Sequence, residues 1–172
     1  MQATDSRLER TTRWLTHFGG AALLAGAIDP LEGSVVCVLG SGLLAAASYG
    51  ASGSGSAILR RRLAVLGLMA FGVVALWIVS AAGGIGGTSG RSAWWALTFL
   101  PYPAGWAAAV WERGLPRWIT FGAVAVGLWY LVLGGIIAAK SGVTAIIPMA
   151  LMTAGMGICA VTLVLRFRRA AA

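Results

Sequence analysis

Residues 60–82 read RRRLAVLGLMAFGVVALWIVSAA, three arginines followed by a stretch from Leu63 to Ala82 without a single charged side chain. At about 1.5 Å of rise per residue, a helix of that length covers the roughly 30 Å hydrocarbon core of a bilayer. Similar apolar segments recur along the chain: Trp14–Ile28, Ser34–Gly50, Ser92–Trp111, Trp118–Ala139 and about Val143–Leu165. The expected fold is therefore an all-α integral membrane protein, a bundle of six transmembrane helices occupying residues 14–165. Residues 1–13 form a cytoplasmic N-terminal segment, and residues 166–172 a basic cytoplasmic tail.

The orientation follows from the basic residues. Threading six crossings puts eleven of the thirteen Lys and Arg side chains on one face: Arg7, Arg10 and Arg13, then Arg60–Arg62, Arg113 and Arg117, and Arg166, Arg168 and Arg169. Only Arg91 and Lys140 fall on the other. Basic residues near membrane spans are retained on the cytoplasmic side, which predicts cytoplasmic N- and C-termini. Composition agrees, with 59% hydrophobic and 10% charged residues and a mean hydropathy of +0.85. That surface suits lipid and not water. The net charge of +8 sits in short juxtamembrane clusters, which suits an anionic inner leaflet and argues against nucleic acid. Twelve Arg against one Lys, no Asn and abundant Ala and Gly point to a GC-rich bacterial genome, and hence to the bacterial cytoplasmic (inner) membrane.

Trp14–Ile28 is short for a crossing, which favours a helix that begins before Trp14. A cleaved leader is the alternative reading, since a basic start, a short apolar stretch and Ala25-Gly26-Ala27 match that layout. The long polar start and the Gly19-Gly20 interruption favour a retained helix. Asp29, Pro30 and Glu32 then read as the capped start of crossing two, with Asp29 accepting from early backbone amides and Pro30 at the first helical position. Gly50–Ser56 and Gly83–Gly90 read as loops. Ala22 with Gly26, Gly40-Ser41-Gly42 and Thr153 with Gly157 supply small residues for close helix approach.

Few polar groups qualify as a site. Asp29 and Glu32, two of only five acidic residues, form the candidate ion or proton site at the outer boundary. Pro101 and Pro103 remove two backbone donors from crossing four, so the fourth helix should break there, freeing carbonyls near Leu97 and Phe99. Tyr102, Trp106, Trp129 and Tyr130 are the expected lining of an apolar pocket beside that break, with a Tyr hydroxyl as donor to the freed carbonyls. Anionic-lipid contacts are expected from Arg60, Arg61, Arg62, Arg166, Arg168 and Arg169.

No cofactor is expected. His17 is the single histidine and supplies neither paired haem ligands nor a zinc site. The Gly-rich stretches lack the strand and Lys of a P-loop. Cys37 and Cys159 differ in depth by more than a disulfide spans, and His17 lies on the opposite face from Asp29 and Glu32, which disfavours a serine hydrolase. The expected function is a non-enzymatic accessory, structural or partner-binding component of the membrane. Its partners are membrane lipids, anionic on the cytoplasmic side, with room for a protein partner or homo-oligomer. The alternative is a small transporter or channel using Asp29 and Glu32.

Overall fold

The computed structural model describes residues 2–29, 31–84, 97–112, 115–141 and 146–170. Six α-helices follow in order: α1 (Gln2–Gly26), α2 (Gly33–Ser52), α3 (Ala57–Ala81), α4 (Pro101–Val110), α5 (Arg117–Ser141) and α6 (Ile146–Ala170). No strand occurs among the described residues. Pro30, residues 85–96 with Arg91, Trp94 and Trp95, and Arg113 lie outside the described residues. So do the side chains of Lys140, Pro148, Arg166, Arg168 and Arg169. The chain divides into two compact units, Met1–Leu115 and Pro116–Ala172.

Among the described residues, three helices are long and apolar enough to cross a membrane: α2, α3, and α5 over Arg117–Ala139. Helix α1 begins well before Trp14, as the shortness of the apolar segment predicts, and it carries the polar start and the apolar segment as one helix. Helix α6 likewise continues through the basic tail to Ala170. The link between α2 and α3 is shorter than the Gly-Ser-Ala run suggested, because Gly50–Ser52 still belong to α2. Gly53, at φ 72°, ends α2 by donating its amide to the Tyr49 carbonyl at 2.9 Å. Ser56 starts α3 by accepting from the Leu59 amide at 3.1 Å.

Crossing four departs from its expected form. Residues 97–99 form a 3-10 turn, and α4 starts at Pro101. The prolines thus occupy the first turn of α4, where a missing N–H removes no hydrogen bond. The Leu97 carbonyl accepts from the Leu100 amide (3.2 Å), and the Leu100 carbonyl from the Ala104 amide (3.1 Å). Ten helical residues extend only about 15 Å, half of a hydrocarbon core.

In the first unit α1 packs on α2, α2 on α3 and α3 on α4. Many of the side chains turned inward are small, beside larger ones such as Leu23, Leu44 and Met69, and many large apolar side chains turn outward. Ser34, Cys37, Gly40, Ser41, Ala45, Ala47 and Ser48 of α2 are buried together with Leu44, whereas Leu39 is 63% exposed, as are Phe71 (64%) and Ile78 (63%) of α3. Such faces need an apolar solvent, and lipid provides one. The inward small residues let backbones touch. A Cβ on Gly19 would lie 2.8 Å from the Gly40 carbonyl oxygen, and one on Gly40 would lie 2.7 Å from that of Gly19. Gly26 and Gly33 abut in the same reciprocal way where α1 turns into α2. Gly72 lies under the Tyr102 backbone and Gly105 against Met69, which seats α4 on α3.

The second unit is the hairpin of α5 and α6. Ile119, Ala123 and Val126 form a buried stripe at helical spacing on α5, and Thr162 of α6 is buried too. Gly127 and Gly155 are the close-approach pair, with a Cβ at Gly127 only 2.7 Å from Cys159 Sγ.

The packing predicts a sharp positional difference. Gly40→Leu should overpack the α1–α2 interface and lower unfolding stability in detergent by about 1–3 kcal/mol. Gly42 has nothing within 4 Å of an added Cβ, and Gly42→Ala should leave stability unchanged or raise it by about 0.5–1 kcal/mol.

Candidate functional site

Two polar nodes tie the helices of the first unit together. The first is the carbonyl of Leu23, near the C-terminal end of α1. Trp106 of α4 donates its indole Nε1–H to that carbonyl at 2.8 Å, and Cys37 of α2 donates its thiol to it at 3.4 Å. The Tyr102 hydroxyl points at Cys37 Sγ, 3.5 Å away. Tyr102, Trp106 and Cys37 are all buried. A single α1 carbonyl thereby holds α2 and α4 in register.

The second node is an ion pair. Arg62, one turn into α3, donates from Nε to Oε2 of Glu112 at 2.7 Å and from Nη1 to the Leu44 carbonyl of α2, also at 2.7 Å. Glu112 follows the end of α4, so the guanidinium links three helices. The Arg62 side chain is 13% exposed and that of Glu112 8%. Removing one partner of such a pair strands a buried charge, which costs about 3–5 kcal/mol. By contrast, the Glu9–Arg13 pair on α1 is solvent-facing at 3.4 Å and adds little.

Next to this pair lies an open cleft of about 510 Å³, bounded by α1, the end of α2 and the start of α3. Thr12, Thr16, Ser48, Ser52 and Arg61 line it, with Arg62 and Glu112 forming its buried wall. The Thr16 hydroxyl donates to the Thr12 carbonyl (2.9 Å) and the Ser48 hydroxyl to the Leu44 carbonyl (3.1 Å). Their oxygens are therefore acceptors, beside the cationic donors of the two arginines.

The residues singled out from the sequence distribute differently. Asp29 and Glu32 are exposed. Asp29 Oδ1 accepts from the amides of Leu31 (2.9 Å) and Glu32 (3.2 Å), which closes a turn ahead of α2 and does not cap the helix itself, whose first residue is Gly33. Tyr102 and Trp106 share the Leu23 node, where the Tyr102 hydroxyl meets the Cys37 sulfur. Trp129 (42% exposed) and Tyr130 (half-buried) belong to α5 in the second unit. Of the three adjacent arginines only Arg62 turns inward. Arg60 donates to the Gly55 carbonyl at 3.2 Å, and Arg61 is exposed at the cleft. Cys37 and Cys159 are both free thiols, Cys159 donating to the Val124 carbonyl at 3.7 Å. His17 is half-buried.

Glu112 and the cleft hydroxyls were not among the sequence candidates. The signal for Glu112 lay in the topology, because the start of crossing three and the end of crossing four fall at one depth, which brings Arg60–Arg62 level with Glu112. Comparison of the chain with family models, with curated proteins and with solved structures found no match.

The Leu23 node predicts a ranking of two conservative changes. Trp106→Phe removes the indole N–H that reaches this carbonyl from α4 and should lower stability by about 1–3 kcal/mol. Tyr102→Phe removes a weaker contact to sulfur and should cost less. Chemical unfolding of the two variants in the same detergent checks the order.

Proposed function

We propose that this chain is a multi-pass protein of the bacterial inner membrane, both termini cytoplasmic, acting as a non-enzymatic structural or partner-binding component. One observation supports the reading above others: the charged and aromatic polar side chains inside the first unit are engaged in joining helices. Arg62 and Glu112 join α2, α3 and α4, and Trp106 with Cys37 joins α1, α2 and α4. Groups held in this way are scaffold. Cargo transport uses polar groups that exchange partners during the cycle.

The transporter alternative rests on Asp29 and Glu32. Exposure leaves both carboxylates with bulk-like surroundings, and Asp29 already accepts two backbone amides. Proteoliposomes containing the full chain should therefore dissipate an imposed proton or potassium gradient no faster than empty liposomes. A leak that disappears in the double variant Asp29→Asn, Glu32→Gln would establish transport and overturn the scaffold reading.

A further inference from the structure

We propose that the cleft beside Arg62 and Glu112 binds a phosphate ester that carries hydroxyl groups, and that its natural source is the head group of an anionic phospholipid. The proposal rests on the reading of the chain as a membrane component with its arginine-bearing end at the bilayer boundary. The cleft supplies both halves of the recognition. Two guanidinium groups, Arg61 and Arg62, and one carboxylate, Glu112, line the cleft, and the carboxylate is paired with Arg62 at 2.7 Å. The balance is positive, and Arg61 carries an exposed guanidinium suited to a phosphate oxygen.

Arg62 is the anchored member. Its bonds to Glu112 and to the Leu44 carbonyl fix the guanidinium plane, so a ligand meets an oriented donor and does not have to order a flexible chain. The second half is the hydroxyl wall. Thr16 and Ser48 donate their hydrogens to backbone carbonyls and present oxygen acceptors, which match the hydroxyls of a glycerol or similar head group. A volume of about 510 Å³ lies within the range of small-ligand sites. Ile58, 53% exposed, also lines the cleft with Ala47, Ala51 and Ala57, an apolar lining that acyl chains would follow.

Titration of the purified full chain in a neutral detergent with phosphatidylglycerol and with phosphatidylcholine, read by native mass spectrometry, tests the site. One phosphatidylglycerol should be retained in preference to phosphatidylcholine. Arg61→Gln should weaken it about tenfold, the scale of one charge-assisted hydrogen bond. Ser52→Trp, which fills the cleft while leaving every charge in place, should abolish retention. Arg60→Gln lies outside the lining and should change affinity by less than about twofold. Circular dichroism establishes that each variant is folded, and lipid retention is read without reference to ion flux, so this proposal and the scaffold reading fail separately. Glycerol 3-phosphate binding as tightly as the lipid, and lost in the same variants, would support the site and assign it to a soluble phosphate ester. Equal losses in Arg60→Gln and Arg61→Gln, or undiminished retention in folded Ser52→Trp, would overturn the proposal by showing diffuse electrostatic adsorption.

Discussion

The bond network of Arg62 is the constraint on which the first unit depends. Its guanidinium reaches the Glu112 carboxylate after α4 and the Leu44 carbonyl inside α2, so helices that share little hydrophobic driving force in lipid are held by one buried cation. Burial of both partners makes the pair strong and also obligatory, because neither charge tolerates solitude in a low-dielectric setting. The Leu23 carbonyl performs the matching task nearer the start of α2, where Trp106 and Cys37 converge. Between them the two nodes pin α4, a helix of only ten residues that is too short to anchor itself by spanning the bilayer.

These nodes work because small residues bring the backbones close enough for side chains to reach across. The reciprocal contacts of Gly19 with Gly40 and of Gly26 with Gly33 set α1 against α2, and Gly72 beneath Tyr102 sets α4 on α3. Only then does the Trp106 indole come within 2.8 Å of a carbonyl on α1. Packing and polar bonding are thus one device. The outward display of Leu39, Phe71 and Ile78 belongs to it as well, since an interface built largely on small residues leaves such large ones on the outer faces.

Much of this architecture was legible in the sequence, and the reasons divide cleanly by length scale. Charge-free runs near twenty residues report the helices, and α2, α3 and α5 lie close to where hydropathy put them. The early start of α1 followed from the bilayer's thickness. Crossing four was harder: Pro101 and Pro103 signalled irregularity correctly, and a 3-10 turn at residues 97–99 precedes the helix that starts at Pro101. The small-residue motifs were visible as a class and ambiguous in detail. Gly40 packs whereas Gly42 meets nothing, a difference of rotation that a spacing cannot resolve. The same rotation hid Arg62, since consecutive helical residues point about 100° apart and only one of three arginines can face a neighbour. Glu112 escaped because its importance comes from a partner fifty residues away.

The claim that one buried ion pair organises the first unit is tested most directly by a double-mutant cycle on its two members, with stability measured by chemical unfolding in detergent. Arg62→Met and Glu112→Leu should each destabilise by about 3–5 kcal/mol, since each leaves the other charge buried and unpaired. The double variant should recover most of that loss, giving a coupling energy of at least about 2 kcal/mol. Single losses that simply add, within about 0.5 kcal/mol, would contradict the account and show that Arg62 and Glu112 stabilise the helices independently.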